Sequence, residues 1–165
     1  MANKKTILGA DVVKFDNEQD GFNPVFRKTI DVVADGVNST DYFAVARLPK
    51  GFAPRLATVA VLEDVADAVT NVTAAVAIGT EADEDGVVDD VTVLAANGNN
   101  YKAGAIGIAS LVAGTVASSA ATLAPVVVTG DTPVYAWVKL GAGVVKGKVE
   151  ITIAGDQMLT PAKAF

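Results

Sequence analysis

The sequence predicts an all-β protein: an antiparallel β-sandwich or jelly roll of about eight strands, with an extended N-terminal arm. Three observations lead there. Hydrophobic residues make up 51% of the chain and aromatics only 6%, so the apolar content is mostly small or β-branched. Valine suits a pleated surface, because its branched side chain packs well there. Short runs alternating between polar and apolar residues recur between Gly, Pro, Asn and Asp turn signals. No amphipathic stretch is long enough for a stable helix, and no exact internal repeat suggests a solenoid. A chain of 165 residues is expected to form one domain. At that size it buries roughly 70% of its unfolded surface and needs no metal or disulfide staple.

Residues 1–26 are read as the arm and residues 27–165 as the β-sandwich domain. The arm has weak periodicity and carries the turn-forming run Asp16-Asn17-Glu18-Gln19-Asp20-Gly21. Phe15, Phe22 and Phe26 surround that run and are three of the six Phe in the chain. Aromatic anchors on such an arm suit docking on another surface. In Lys28–Val32, Ile30 and Val32 share one face of a half-buried strand. Asp35-Gly36 and Asn38-Ser39 supply turn chemistry. Tyr42–Leu48 is the next strand, stopped by Pro49-Lys50-Gly51, where proline cannot donate to a ladder. Arg55–Val65 and Thr70–Ile78 follow, with Val65–Val69 readable as one helical turn. The acidic loop 81–86 precedes a strand over Val87–Leu94, and Asn97-Gly98-Asn99-Asn100 is a turn.

Near the end, Val134, Ala136 and Val138 alternate with Tyr135, Trp137 and Lys139. Val149, Ile151 and Ile153 alternate with Lys148, Glu150 and Thr152, and Gly141-Ala142-Gly143 between these strands predicts a hairpin. The stretch Ala103–Gly130 carries no charge, which is long enough to span a bilayer. Its large aliphatics are sparse among Gly, Ala, Ser and Thr, and Pro125 leads into a β-branched run. It is therefore read as a loop and strand buried in a core or a subunit contact, with Ile106, Ile108 and Leu111 as candidate contact residues beside Phe15, Phe22 and Phe26.

The chain has no His and no Cys. Imidazole is the usual acid–base group near neutral pH and the commonest metal ligand. Without thiols there is no Cys nucleophile, zinc–thiolate site or disulfide. The net charge is −6 with scattered Lys and Arg, whereas nucleic-acid binding requires a clustered positive footprint. No direct nucleic-acid partner, membrane insertion or cofactor is expected. Met1-Ala2-Asn3-Lys4-Lys5 is basic, but no apolar stretch of signal-peptide length follows it.

Four motifs invite chemistry. Glu81-Ala82-Asp83-Glu84-Asp85-Gly86 places carboxylates at the first, third and fifth positions of a calcium loop, with Gly sixth. The twelfth position is Thr92 rather than a bidentate Glu, so a solvated acidic loop is the better reading. Gly141–Lys148 approaches a phosphate-binding loop but has Ala142 and Val149 where Gly and Ser or Thr belong. Trp137 with Tyr135 could form a sugar-stacking platform, although such pairs more often pack in cores or interfaces. Paired carboxylates or a Ser–Lys site would be the remaining catalytic routes. The acidic residues cluster in turn-like segments and Ser118-Ser119 has no base nearby, so the chain is read as non-enzymatic.

The order of pieces carries a resemblance. A strand leads to Leu48-Pro49-Lys50-Gly51, and a hairpin ends in Ala77-Ile78-Gly79-Thr80-Glu81-Ala82-Asp83. An Asn/Gly loop follows, then Thr132-Pro133-Val134-Tyr135-Ala136, and last Gly147-Lys148-Val149-Glu150-Ile151. Over roughly residues 27–155 this resembles small virion structural proteins of tailed bacteriophages, of the capsid decoration or cement type. The resemblance implies a β-sandwich or jelly-roll subunit, often a homotrimer, on the outer surface of the capsid. Its partners would be the major capsid protein or another virion protein, and it carries no catalytic residues. The alternative is a carbohydrate-binding or adhesive β-module, as in a head fibre or cell-surface protein.

A chain without thiols or a complete metal loop should melt at the same temperature with reductant or chelator present. A fall of several degrees in EDTA, reversed by calcium, would contradict that reading of loop 81–86.

Overall fold

A computed structural model describes residues 5–7, 11–13, 25–37, 41–67, 71–96, 99–111, 128 and 131–157. Ten strands occur among them: β1 (Lys5–Ile7), β2 (Asp11–Val13), β3 (Val25–Asp31), β4 (Tyr42–Leu48) and β5 (Phe52–Val61). After these come β6 (Ala74–Thr80), β7 (Val88–Leu94), β8 (Ile106–Ser110), β9 (Val134–Leu140) and β10 (Lys148–Gln157). One sheet runs β1-β4-β9-β6-β7 and the other β2-β3-β10-β5-β8. These are called the first and second sheet.

The pairing is nested. β3 pairs with β10, β4 with β9, β5 with β8 and β6 with β7, all antiparallel. The eight strands thus behave as one long hairpin wound up on itself. β10–β5 and β9–β6 pairings then join its layers into two four-stranded sheets. This is jelly-roll topology, so the predicted fold class holds. The two strands of the N-terminal segment extend it, β1 lying parallel on β4 and β2 antiparallel on β3. Both add to sheets of their own chain. Phe15 and Phe22 lie outside the described residues.

Alternation decides what is buried. Val149, Ile151 and Ile153 on β10 point inward with Phe26 and Ile30 on β3 and Val59 and Val61 on β5. Facing them are Phe43 on β4, Val76 and Ile78 on β6, and Val134, Ala136 and Val138 on β9. Phe26 and Phe52 meet edge to face, with ring centroids 5.3 Å apart. Small β-branched side chains in both sheets fill the roughly 10 Å gap between packed sheets with few aromatics.

Loop residues close the structure locally. Asp31 accepts bonds from the Val33 and Ala34 N–H groups at 3.2 and 3.0 Å, and Asp35 accepts one from Asp31 N–H at 2.9 Å. Asn100, only 3% exposed, donates to the Val72 and Ala95 carbonyls and accepts from Val72 N–H at 3.1 Å. It staples the segment before β6 to the segment after β7.

Several expectations change. Gly141-Ala142-Gly143 does not turn a hairpin, because β9 and β10 belong to different sheets. Residues 141–147 cross the sandwich, and the nested pairing leaves β10 no place beside β9. Val65–Asp67 is not helical, and no helix occurs among the described residues. β5 starts at Phe52 rather than Arg55. Pro54 is tolerated because β8 pairs with β5 only from Leu56 onward. β6 starts at Ala74 rather than Thr70. β8 falls where the sequence suggested a loop. Residues 112–127, most of the uncharged stretch, lie outside the described residues.

Ile151 is 1% exposed on the central strand of its sheet. Ile151→Asp should therefore lower stability by several kcal/mol, on the order of the cost of an unpaired buried polar group. Chemical denaturation measures this, and a midpoint equal to wild type would contradict the register.

Candidate functional site

The inner faces are consumed by the core, so function falls to the two outer faces and the loops. On the outer face of the first sheet, Trp137 lies between Ala44 on β4 and Ala77 on β6. Only alanine on both sides leaves room for a flat indole. Tyr135 and Tyr42 stand edge-on to it, with centroids at 5.4 and 6.5 Å. The acidic loop 81–86 folds back close by. Gly79 has no side chain because a Cβ there would collide with the carbonyl oxygens of Asp83 and Glu84. The Gly79 carbonyl accepts the Trp137 Nε1–H bond at 3.0 Å.

Trp137 is 0% exposed. No ring face remains for a sugar, and the pair is a packed cluster, the commoner of the two readings. The signal for this was present in the small residues that flank the tryptophan across the sheet, but those pairings are not visible in a linear sequence.

Beside the cluster, the Tyr42 hydroxyl donates to both carboxylate oxygens of Asp90 at 2.8 and 2.9 Å. Lys139 Nζ lies 3.5 Å from the same carboxylate and 5.0 Å from the centre of the Tyr42 ring. These residues come from β4, β7 and β9 and bridge across β6. Burial, then the Asp90 hydrogen bond and charge, push the Tyr42 phenol far above its ordinary value. A cleft of about 270 Å³ opens here, lined by Thr73, Asp90, Thr92 and Lys139 among others. Asp90 is held by two cross-strand partners, so the group serves to lock strands together.

The acidic loop is closed by backbone N–H groups rather than by its carboxylates. Asp83 N–H donates to Thr80, and the Gly86 N–H donates to the Asp83 carbonyl at 3.3 Å. Partial desolvation and then a hydrogen bond to Asp83 raise the Asp85 carboxyl above its ordinary value. Among the described residues, no three acidic side chains converge on a point that could hold a metal. The Gly141–Lys148 segment likewise offers no phosphate cradle. Gly147 packs against the carbonyls of Glu63 and Asp64, Lys148 pairs with Glu63 at 2.9 Å, and Lys146 pairs with Asp67. No helix of the described residues is long and apolar enough to cross a membrane.

The outer face of the second sheet is different. Leu56, Thr58 and Ala60 on β5 form one column, and Ile106, Ile108 and Ser110 on β8 form the next. Ile106 and Ile108 are 62% and 61% exposed. Of the other candidate contacts, Phe26 and Leu111 lie in the chain's own core at 5% and 0%. Ser118 and Ser119 lie outside the described residues.

No family model matches this sequence, and no curated protein does. Among solved structures, the chain is similar to one titled as the capsid of Ralstonia phage GP4. The TM-score is 0.50 at 20% identity, covering 94% of this chain and 99% of that one. At that identity the likeness concerns the fold.

Tyr42→Phe should lower stability near neutral pH by about 2 kcal/mol, the usual worth of a hydrogen bond to a charged group. The folded-state pKa lies above the unfolded value, so this contribution is full below about pH 10 and fades as pH rises further. Denaturant midpoints should therefore converge for wild type and variant above about pH 10. A constant gap would contradict the assignment.

Proposed function

We propose that this chain is a non-enzymatic structural protein of a tailed-phage virion, a homotrimer that decorates or cements the capsid from its outer surface. The observation that carries this reading is the end-to-end likeness to a chain of a phage capsid: nearly all of both chains take part, so neither fold has a large appendage that the other lacks. Jelly rolls are a recurrent architecture of viral capsid domains.

The chemistry of the chain agrees. The acidic groups gathered on loop 81–86 and β7 would face solvent outside the shell more favourably than packaged DNA within it. A subunit that binds only the assembled lattice stabilises it by mass action, and symmetric copies multiply weak contacts into avidity. Phage lattices offer three-fold positions, which select closed trimers. The adhesive alternative loses its main support with the burial of Trp137.

Purified chain added to capsids lacking it should bind saturably and raise the temperature at which they release DNA. A glycan array probed with the same chain should remain blank. Absence of shell binding, together with specific glycan capture, would reverse the order of the two readings.

A further inference from the structure

Six large aliphatic side chains are exposed among the described residues, and four of them share one face. Leu56 is on β5, and Ile106 and Ile108 are on the neighbouring β8. Leu62 follows directly after β5, and its N–H bonds to the Lys148 carbonyl, which keeps it on the same side. The other two, Val33 and Val145, lie in connecting loops. Isolated exposed aliphatics need no explanation, but a contiguous set on a flat sheet does.

The edge of that face is equally unusual. β1, β2, β7 and β8 are the edge strands of the two sheets. β7, for example, carries Asp89 and Asp90. Such charges are a standard protection against edge-to-edge pairing. β8 reads Ile106-Gly107-Ile108-Ala109-Ser110 and has no charge and no proline. Val61 N–H bonds to the Ala105 carbonyl, and Leu111 N–H bonds to the Arg55 carbonyl. Odd-numbered residues therefore turn their backbone groups toward β5, and Ile106, Ile108 and Ser110 turn theirs toward the edge that no described strand pairs with.

Electrostatics identifies the occupant. The chain carries a net charge of −6, so two copies repel over most of their surface. On the outer face of the second sheet, Arg27, Arg55 and Lys148 each have an acidic partner. Arg27 faces Glu150 at 3.8 Å, Arg55 faces Asp156 at 2.7 Å, and Lys148 faces Glu63 at 2.9 Å. A basic partner would be drawn to the acidic loop on the opposite sheet. A like-charged partner can approach closely only where charge is cancelled and apolar area is available.

We propose that the outer face of β5 and β8 is the surface on which a second copy of this chain docks, with Ile106 and Ile108 at the centre of the contact. This deepens the self-association part of the virion reading and is independent of shell attachment. A failure here therefore leaves the capsid-binding experiment standing.

Sedimentation of the full chain tests the proposal. Wild type should form a closed oligomer at micromolar concentration. Ile106→Lys/Ile108→Lys should be monomeric there, with association weakened at least tenfold. Ile106→Thr/Ile108→Thr keeps β-branched residues at both positions and guards against misfolding of the lysine variant. It should weaken association in the same direction with an unchanged circular dichroism spectrum. Thr29→Lys, exposed on β3 of the same sheet, should leave association intact. Added salt should tighten the oligomer by screening repulsion between acidic copies. A monomeric wild type, an oligomer that survives both isoleucine variants, or dissociation by salt would each overturn the proposal.

Discussion

Everything in this molecule depends on the insertion of the last strand. β10 fills the gap between β3, the first strand of the nested set, and β5. Until it arrives, the second sheet is two separate pairs and the inward faces of Ile30 and Val59 have no neighbour between them. The core is mostly Val, Ile, Leu and Ala with a few aromatics, so much of its burial comes from many modest contacts at once. A fold whose sheet closes between distant segments has high contact order and is expected to form slowly. Its stability is correspondingly cooperative, since removing β10 splits the second sheet and uncovers the inward face of the first.

Closure also sets the division of labour between the outer faces. The first sheet is buried on both sides around Trp137, with the acidic loop folded onto Gly79 and Tyr42 braced against Asp90. The second sheet presents self-paired charges and bare aliphatics. One face is sealed by its own chain. The other keeps apolar area that its own described residues do not cover.

How much of this was legible in the sequence follows from which face carries the signal. β4, β9 and β10 were readable because their inward positions are apolar in alternation with polar or small residues and their ends are marked by Pro or Gly. β8 was not, because its alternation is inverted. Its inward positions are Gly107 and Ala109, and its isoleucines point outward. Gly107 is required because a Cβ would strike the backbone of β7 at Val93. A pattern search looks for large residues facing the core, and here close approach of two strands demanded the reverse. Gly141–Gly143 failed for another reason: a Gly-rich link between strands has the same local chemistry whether it turns a hairpin or crosses between sheets. Asn100 left little local signal, since two of its three backbone bonds go to Val72, 28 residues away.

The proposed role is that of an acidic jelly roll holding its neighbours on the outside of a phage shell through the apolar face of β5 and β8. Subnanometre imaging of a particle containing this chain tests it most directly. The account predicts jelly-roll density on the outer surface, with the Ile106 and Ile108 face turned toward an adjacent copy and the loop 81–86 face turned to solvent. Density inside the shell, or an outer position with the β5 and β8 face open to solvent, would contradict it.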